Sequence, residues 1–425
     1  MRRIMMAIAA AVLVAAPLTV GTPAQAAPEG LTATEVTFTG NGGVTLHGTV
    51  LAPTGGDARK PAIVLLEGAG SRGRGYLRAE AEAYARHGIV TLTYDKRSTG
   101  YSLMHRDYSV LADDALAGLR LLRARPDVDL RKTGLWGLSE GAFVAPIAAN
   151  RSTDVTFVIT VGAVGTTPAE ETAWAYGQYL RHAGVRGPLP RLMQTSVVRA
   201  TIDLGLFAEA GFDPVPHWER VRQPVLLQWG ELDRDAVPSL SSRLIGGALD
   251  RGGNPHHTVR VVAGTNHVLH RTEDDGFDRL PLLPAGYGDF EAAWIADPAV
   301  EAPGVALPAE AAIVDSAPRG WWDTTWARLV TAALLLGALV AGVVRHRAWL
   351  PAGLAAATVA GTLAYLFFLL AVAGKVAGPI VLGQPLAWLT LQLLAVATVA
   401  AAAWRRRPIE GALFAVWAVQ WLTAC

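Results

Sequence analysis

The chain has 425 residues, 51% apolar and only 17% charged, with a formal net charge of +1. So balanced a charge excludes the basic footprint of a nucleic-acid binder and gives no argument for an acidic partner. A single cysteine, Cys425, excludes an intrachain disulfide, so an exported domain must be held by its apolar core.

Taken in order, Met1-Arg2-Arg3, an apolar run to Val20 and Ala24-Gln25-Ala26 form the three parts of a secretory signal. Segment 1–26 is expected to be removed, and an uncleaved N-terminal anchor is the alternative. From 27 to 298, strand and helix signals alternate, which predicts an α/β layer fold. Segments 34–39 and 44–52, joined at Gly40-Asn41-Gly42-Gly43, predict a hairpin. Buried strands are expected at 62–66, 89–94, up to Trp136, and at 155–161, 225–229 and 259–262. Helices are expected at 76–87, ended by Gly88, at 111–122, stopped by Pro126, and at 142–150 and 290–295. Between Val161 and Val225 lies an insertion of about 60 residues, longer than ordinary crossovers. It reads helical over 169–182 and 191–207. Segment 164–223 is therefore either a cap over a site or two extra surface helices.

Segment 299–320, rich in Ala, Pro and Val, reads as a linker to a membrane domain, 321–425. Four spans are expected, at 326–344, 349–374, 386–404 and 409–425, the last at the short limit. The basic connections Arg345-His346-Arg347 and Arg405-Arg406-Arg407 predict cytoplasmic turns, which places the preceding domain outside the cell membrane. Trp321, Trp322, Trp326, Trp349, Trp388 and Trp404 lie near span ends, as interfacial belts do. Spans two and three carry no ionisable residue, and Arg328 and Glu410 sit where they can snorkel. The membrane part therefore reads as an anchor rather than a transport pathway.

The chemistry centres on Gly137-Leu138-Ser139-Glu140-Gly141, set between a strand signal and a helix signal. A nucleophile elbow needs that context, a tight strand-to-helix turn that lifts a serine hydroxyl clear of the sheet. A nucleophilic serine needs a base, and the base needs an orienting acid. Strand 225–229 runs through Gly230 to Asp233, and strand 259–262 runs through Gly264 to His267. Each functional residue stands three positions past its glycine. Asp235 competes with Asp233, and His270, His256 and His257 compete with His267. Adjacent His256 and His257 point to opposite faces of an extended strand and have no carboxylate cluster, so no metal is implied.

Leu66-Glu67-Gly68-Ala69-Gly70, segment 94–102, Gly137–Gly141, Gly230–Asp233 and Gly264–His267 resemble bacterial α/β-hydrolases of the esterase, serine aminopeptidase and dienelactone hydrolase-like groups. The resemblance spans the exported domain and not the membrane part. It implies a mostly parallel sheet flanked by helices, with Ser139 as nucleophile, His267 as base and Asp233 as acid. It also implies an oxyanion hole from the backbone N–H groups of Ala69 and Glu140. Glu67 departs from the pattern, since related sequences usually carry His there. Asp95, Lys96 and Arg97 are expected to brace the neighbouring loop. No cofactor is implied. The expected activity is hydrolysis of a small-molecule or lipid ester, or of an amide, at the outer face of the membrane. A serine aminopeptidase and a degenerate, partner-binding ectodomain are the alternatives. In the aminopeptidase, Glu170 and Glu171 would bind the amine. Oligomeric state stays open.

Overall fold

Uninterrupted apolar strands are stable only where both faces of a sheet are covered, and the chain is built around that requirement. The computed structural model describes residues 28–303, 306–307, 313–346 and 349–423. The expected signal segment, 1–26, and Cys425 lie outside the described residues. β1 (Leu31–Thr39) and β2 (Thr45–Pro53) form the antiparallel hairpin. They lead into β3 (Lys60–Leu66), α1 (Arg78–Arg86), β4 (Val90–Tyr94), α2 (Tyr108–Arg123), β5 (Val128–Leu138), α3 (Glu140–Arg151) and β6 (Phe157–Val161). The insertion follows, with α4 (Pro168–His182), α5 (Pro188–Leu192), a π-turn at Met193–Val197, α6 (Val198–Asp203) and α7 (Val215–Trp218). β7 (Val225–Gly230), α8 (Pro238–Arg251), β8 (His257–Val262) and α9 (Asp289–Ala296) complete the layer. The eight strands lie in the order β1-β2-β4-β3-β5-β6-β7-β8, parallel from β4 onward.

Strand periodicity divides the core in two. Val64, Leu66 and Leu227 face α2, α3 and α8, while their neighbours Ile63, Leu65 and Leu226 face α1 and α9. Helix α8 was not among the sequence expectations. Gly246 and Gly247 at its middle weaken helix propensity by about 1 kcal/mol each relative to alanine. Burial of Ile245, Ala248 and Leu249 on the sheet outweighs that cost.

The C-terminal region holds α10 (Thr325–His346), α11 (Trp349–Ala371), α12 (Leu386–Trp404) and α13 (Pro408–Ala418). Among the described residues three of these, α10, α11 and α12, are long and apolar enough to cross a membrane. Where the fourth span is expected, the 11-residue α13 is continued by a π-turn at Val419–Thr423 and packs beside α10 and α12. Trp388, in the first turn of α12, is fully buried in a core shared by the insertion and the bundle. Arg328 does not snorkel. It is 4% exposed, pairs with Asp323 at 2.7 Å and donates to Ser196 Oγ at 2.8 Å.

The insertion is thus clamped between sheet and bundle. Tyr176, Leu180, Met193 and Val197 pack in one cluster with Leu366 and Leu369 of α11. Asp323 also pairs with Arg199 of α6 at 3.1 Å. The connection from α11 to α12 carries the two-residue strands β9 (Ile380–Val381) and β10 (Gln384–Pro385), and Gly383 O accepts the Arg186 N–H at 2.6 Å.

Candidate active site

Ser139 is the one residue between the end of β5 and the start of α3, and its backbone has φ 51° and ψ −110°. That is a positive φ for a non-glycine residue, sparsely populated and costly unless its surroundings enforce it. The flanking glycines are needed for approach. A Cβ at Gly137 would lie 2.4 Å from Gly141 O, and one at Gly141 would lie 2.5 Å from Leu66 O.

His267 sits on the loop after β8. Asn266 Oδ1 accepts the N–H groups of Val268 and His270, both at 3.1 Å, which shapes the turn. The imidazole Nδ1 lies 3.0 and 2.9 Å from the two carboxylate oxygens of Asp233. Asp233 is held in turn by the N–H groups of Asp235 and Ala236, each donating to Oδ1 at 2.9 Å. The two loops meet at Gly230, where a Cβ would stand 2.2 Å from Asn266 O. Asp235 turns away and accepts from Tyr179 Oη at 2.9 Å, with Lys375 Nζ at 3.8 Å. His270 is a buried brace, bonded to Leu280 O at 2.7 Å and Glu80 at 2.8 Å. His257 Nδ1 lies 3.1 Å from Asn254 O, while His256 is exposed. Among the described residues no group of three His, Cys, Asp or Glu side chains is placed to hold a metal ion.

Ser139, His267, Ala69 and Glu140 line one cavity of about 640 Å³. Among the described residues no hydrogen bond joins Ser139 to His267. In substrate-free sites that bond is often long and tightens on binding.

The Glu140 side chain joins the two expected oxyanion donors. It is 2% exposed, and it accepts from Lys96 Nζ at 2.7 Å, Arg106 at 2.6 Å and Tyr101 Oη at 2.7 Å. Lys96 also donates to Gly68 O, and Tyr101 Oη accepts the Gly70 N–H at 2.9 Å. The glycine loop after β3 is thereby tied to the residue following the nucleophile. Arg97 pairs with the buried Asp114 at 2.7 Å and Arg74 N donates to Asp95 at 2.8 Å, so residues 95–97 hold the flanking loops. Glu67 is buried, accepts the Arg72 N–H at 2.8 Å and leaves Oε2 without a partner among the described residues. Burial raises its pKa despite the nearby Lys96.

Three participants were not legible in the sequence. Gly162, just after β6, has φ 59°, and a Cβ there would stand 2.5 Å from His267 Cε1, so only glycine admits the imidazole. Tyr101, at the end of the 94–102 segment, and Arg106 beyond it complete the Glu140 cluster, a role that neither residue's type or spacing declares. Glu171 faces the cavity, whereas its neighbour Glu170 closes a capping box with Thr167. Burial drives Glu171 up to about 8, against the pull of His267. Burial alone would lower the His267 pKa, but Asp233, then Asp235 and Glu171, outweigh it and hold the imidazole at about 9.

These features make residues 28–303 an α/β-hydrolase-type fold with an elbow serine and a carboxylate-paired histidine. No protein-family model matches the chain. It is 32% identical over 127 residues to polyketide transferase claH of Penicillium crustosum, covering 29% of this chain and 41% of that protein's length. Among solved structures it is similar to DcsB in complex with its substrate analogue, at 20% identity and TM-score 0.43, covering 63% of this chain and 99% of the other. It is also similar to a dienelactone hydrolase of Anabaena variabilis, at 17% identity and TM-score 0.40, covering 63% and 98%.

Proposed function

We propose that the chain is an exported, membrane-tethered serine hydrolase that cleaves carboxylic esters through Ser139, His267 and Asp233. The observation that carries this reading is the strained Ser139 lining the same cavity as His267, whose Nδ1 Asp233 holds from behind. Ser139 Oγ attacks the acyl carbon while His267 takes its proton, and Asp233 stabilises the imidazolium. The oxyanion is met by the N–H groups of Glu140 and Ala69, where one donor contributes about 3–4 kcal/mol to the transition state. His267 then protonates the leaving alkoxide, and a water releases the acyl group from Ser139 by the reverse sequence.

The outward orientation is supported by the connection 372–385, which packs on the insertion. Arg405-Arg406-Arg407 lies at the far end of α12, about 28 Å away for a helix of this length. Basic residues mark the cytoplasmic side. The test is labelling of intact cells with a membrane-impermeant fluorophosphonate, comparing the native chain with Ser139→Ala and His267→Ala. Labelling that disappears in both variants is expected. A folded, surface-exposed chain that takes no label would overturn the reading and leave a binding ectodomain in its place.

Glu171 in the cavity favours a second reading, a peptidase that pairs this carboxylate with a substrate amine. Aminoacyl anilides cleaved faster than matched esters, with the advantage lost in Glu171→Gln, would establish it.

A further inference from the structure

The cavity that holds Ser139 is bounded by a membrane helix. Phe367, Leu370 and Ala371 of α11 line it together with the catalytic residues. Phe367 stands four residues before the end of α11, about 6 Å along the axis, and is 69% exposed on its other side. Across the cavity, Leu103, Met104 and Leu206 of the hydrolase fold line it as well, and are 58%, 60% and 48% exposed. Large apolar side chains grouped at a rim are unfavourable in water and mark a surface that meets an apolar partner. Here position points to the partner, because the same cavity is lined by the last turn of α11, a helix long and apolar enough to cross a membrane. With α11 taken as a span that ends at Ala371, Phe367 falls in its last two turns, where headgroups and acyl chains meet.

We infer that the cavity opens sideways into the outer leaflet and that its substrate is a long-chain acyl ester drawn directly from the bilayer. This rests on the hydrolase reading and adds the substrate class and its route. The acyl chain enters past Phe367 and Ala371 until its carbonyl carbon reaches Ser139. The acyl–oxygen bond breaks, the acyl group passes to Ser139 Oγ, and the serine proton leaves with the alcohol through His267. Water then releases the fatty acid. The insertion cannot swing away as a free lid, since Arg199 and Arg328 share Asp323 beneath it. The gap beside α11 is therefore the path that needs no unfolding.

The experiment uses the full chain in proteoliposomes with two substrates, a water-soluble p-nitrophenyl butyrate and a fluorogenic dioleoyl glycerolipid embedded in the vesicle. The readout is the ratio of the embedded-lipid rate to the soluble-ester rate. Ala371→Trp narrows the gap and Phe367→Asp places a charge in it, and each lowers the ratio by about tenfold or more, as small changes of pocket fit do. Two variants are used so that one misfolded protein does not decide the result. An unchanged ratio in both overturns lateral access. A native protein that cleaves only the soluble ester overturns the lipid substrate and leaves the hydrolase intact. A native protein that cleaves neither ester and takes no fluorophosphonate removes the hydrolase reading and the inference with it.

Discussion

Ser139 and His267 are held by backbone more than by side chains. The serine takes its positive φ because Gly137 and Gly141 let strand, helix and the end of β3 close around it. The imidazole rests on Gly162, which no side chain could replace without moving it. Three carboxylates then surround the imidazole, Asp233 in contact and Asp235 and Glu171 farther off. In the proposed mechanism the general base works only when neutral, so an imidazole held at about 9 is expected to make kcat/KM climb with pH from neutrality toward that value. The limb belongs to the coupled group rather than to the imidazole alone. Glu171→Gln removes one charge that raises the histidine, so the limb shifts to lower pH. A pH–rate profile of native and variant chains checks the sign, and an unshifted limb would show that Glu171 does not reach the base.

At the scale of elements, the loop after β3 and the start of α3 are tied together by Glu140. Its carboxylate is buried with two cations and a phenol, a cluster in which removal of one partner leaves charge uncompensated. Lys96→Met is expected to cost about 3–5 kcal/mol of stability, the range for breaking a buried ion pair from one side. It also frees Gly68 O, so the glycine loop carrying Ala69 loses its tether. Turnover should fall further than the stability loss alone explains. Thermal unfolding in detergent, set beside kcat at a temperature where both proteins are folded, separates the two effects.

For the molecule as a whole, the C-terminal helical bundle and the insertion share one core, so the bundle also supports the insertion. A chain ending at residue 298 would expose Tyr176, Leu180, Leu189 and Met193 together, all buried in the full chain. Exposed apolar patches of that kind drive association. Size-exclusion chromatography of the shortened chain without detergent is expected to give aggregates. A monodisperse, active monomer would show that the shared core is dispensable.

The elements that declare themselves locally were legible in the sequence. The hairpin at Gly40–Gly43, the apolar strands, the Gly137–Gly141 turn and the two Gly-spaced loops carrying Asp233 and His267 depend on short-range geometry, which residue type and period encode directly. The three long apolar helices were legible because runs of about 20 apolar residues are the length that crosses a bilayer. Tertiary structure decided the rest. Asp233 and Asp235 stand two residues apart with equal chemistry, and only the packing of β7 against the β8 loop turns one to His267 and the other to Tyr179. Trp388 and Arg328 have partners that lie far away in sequence, on the insertion and the neighbouring helices, which no local pattern names. A residue's type states what it needs, an apolar cover or a counter-charge. Which distant residue supplies it is fixed only when the chain closes on itself.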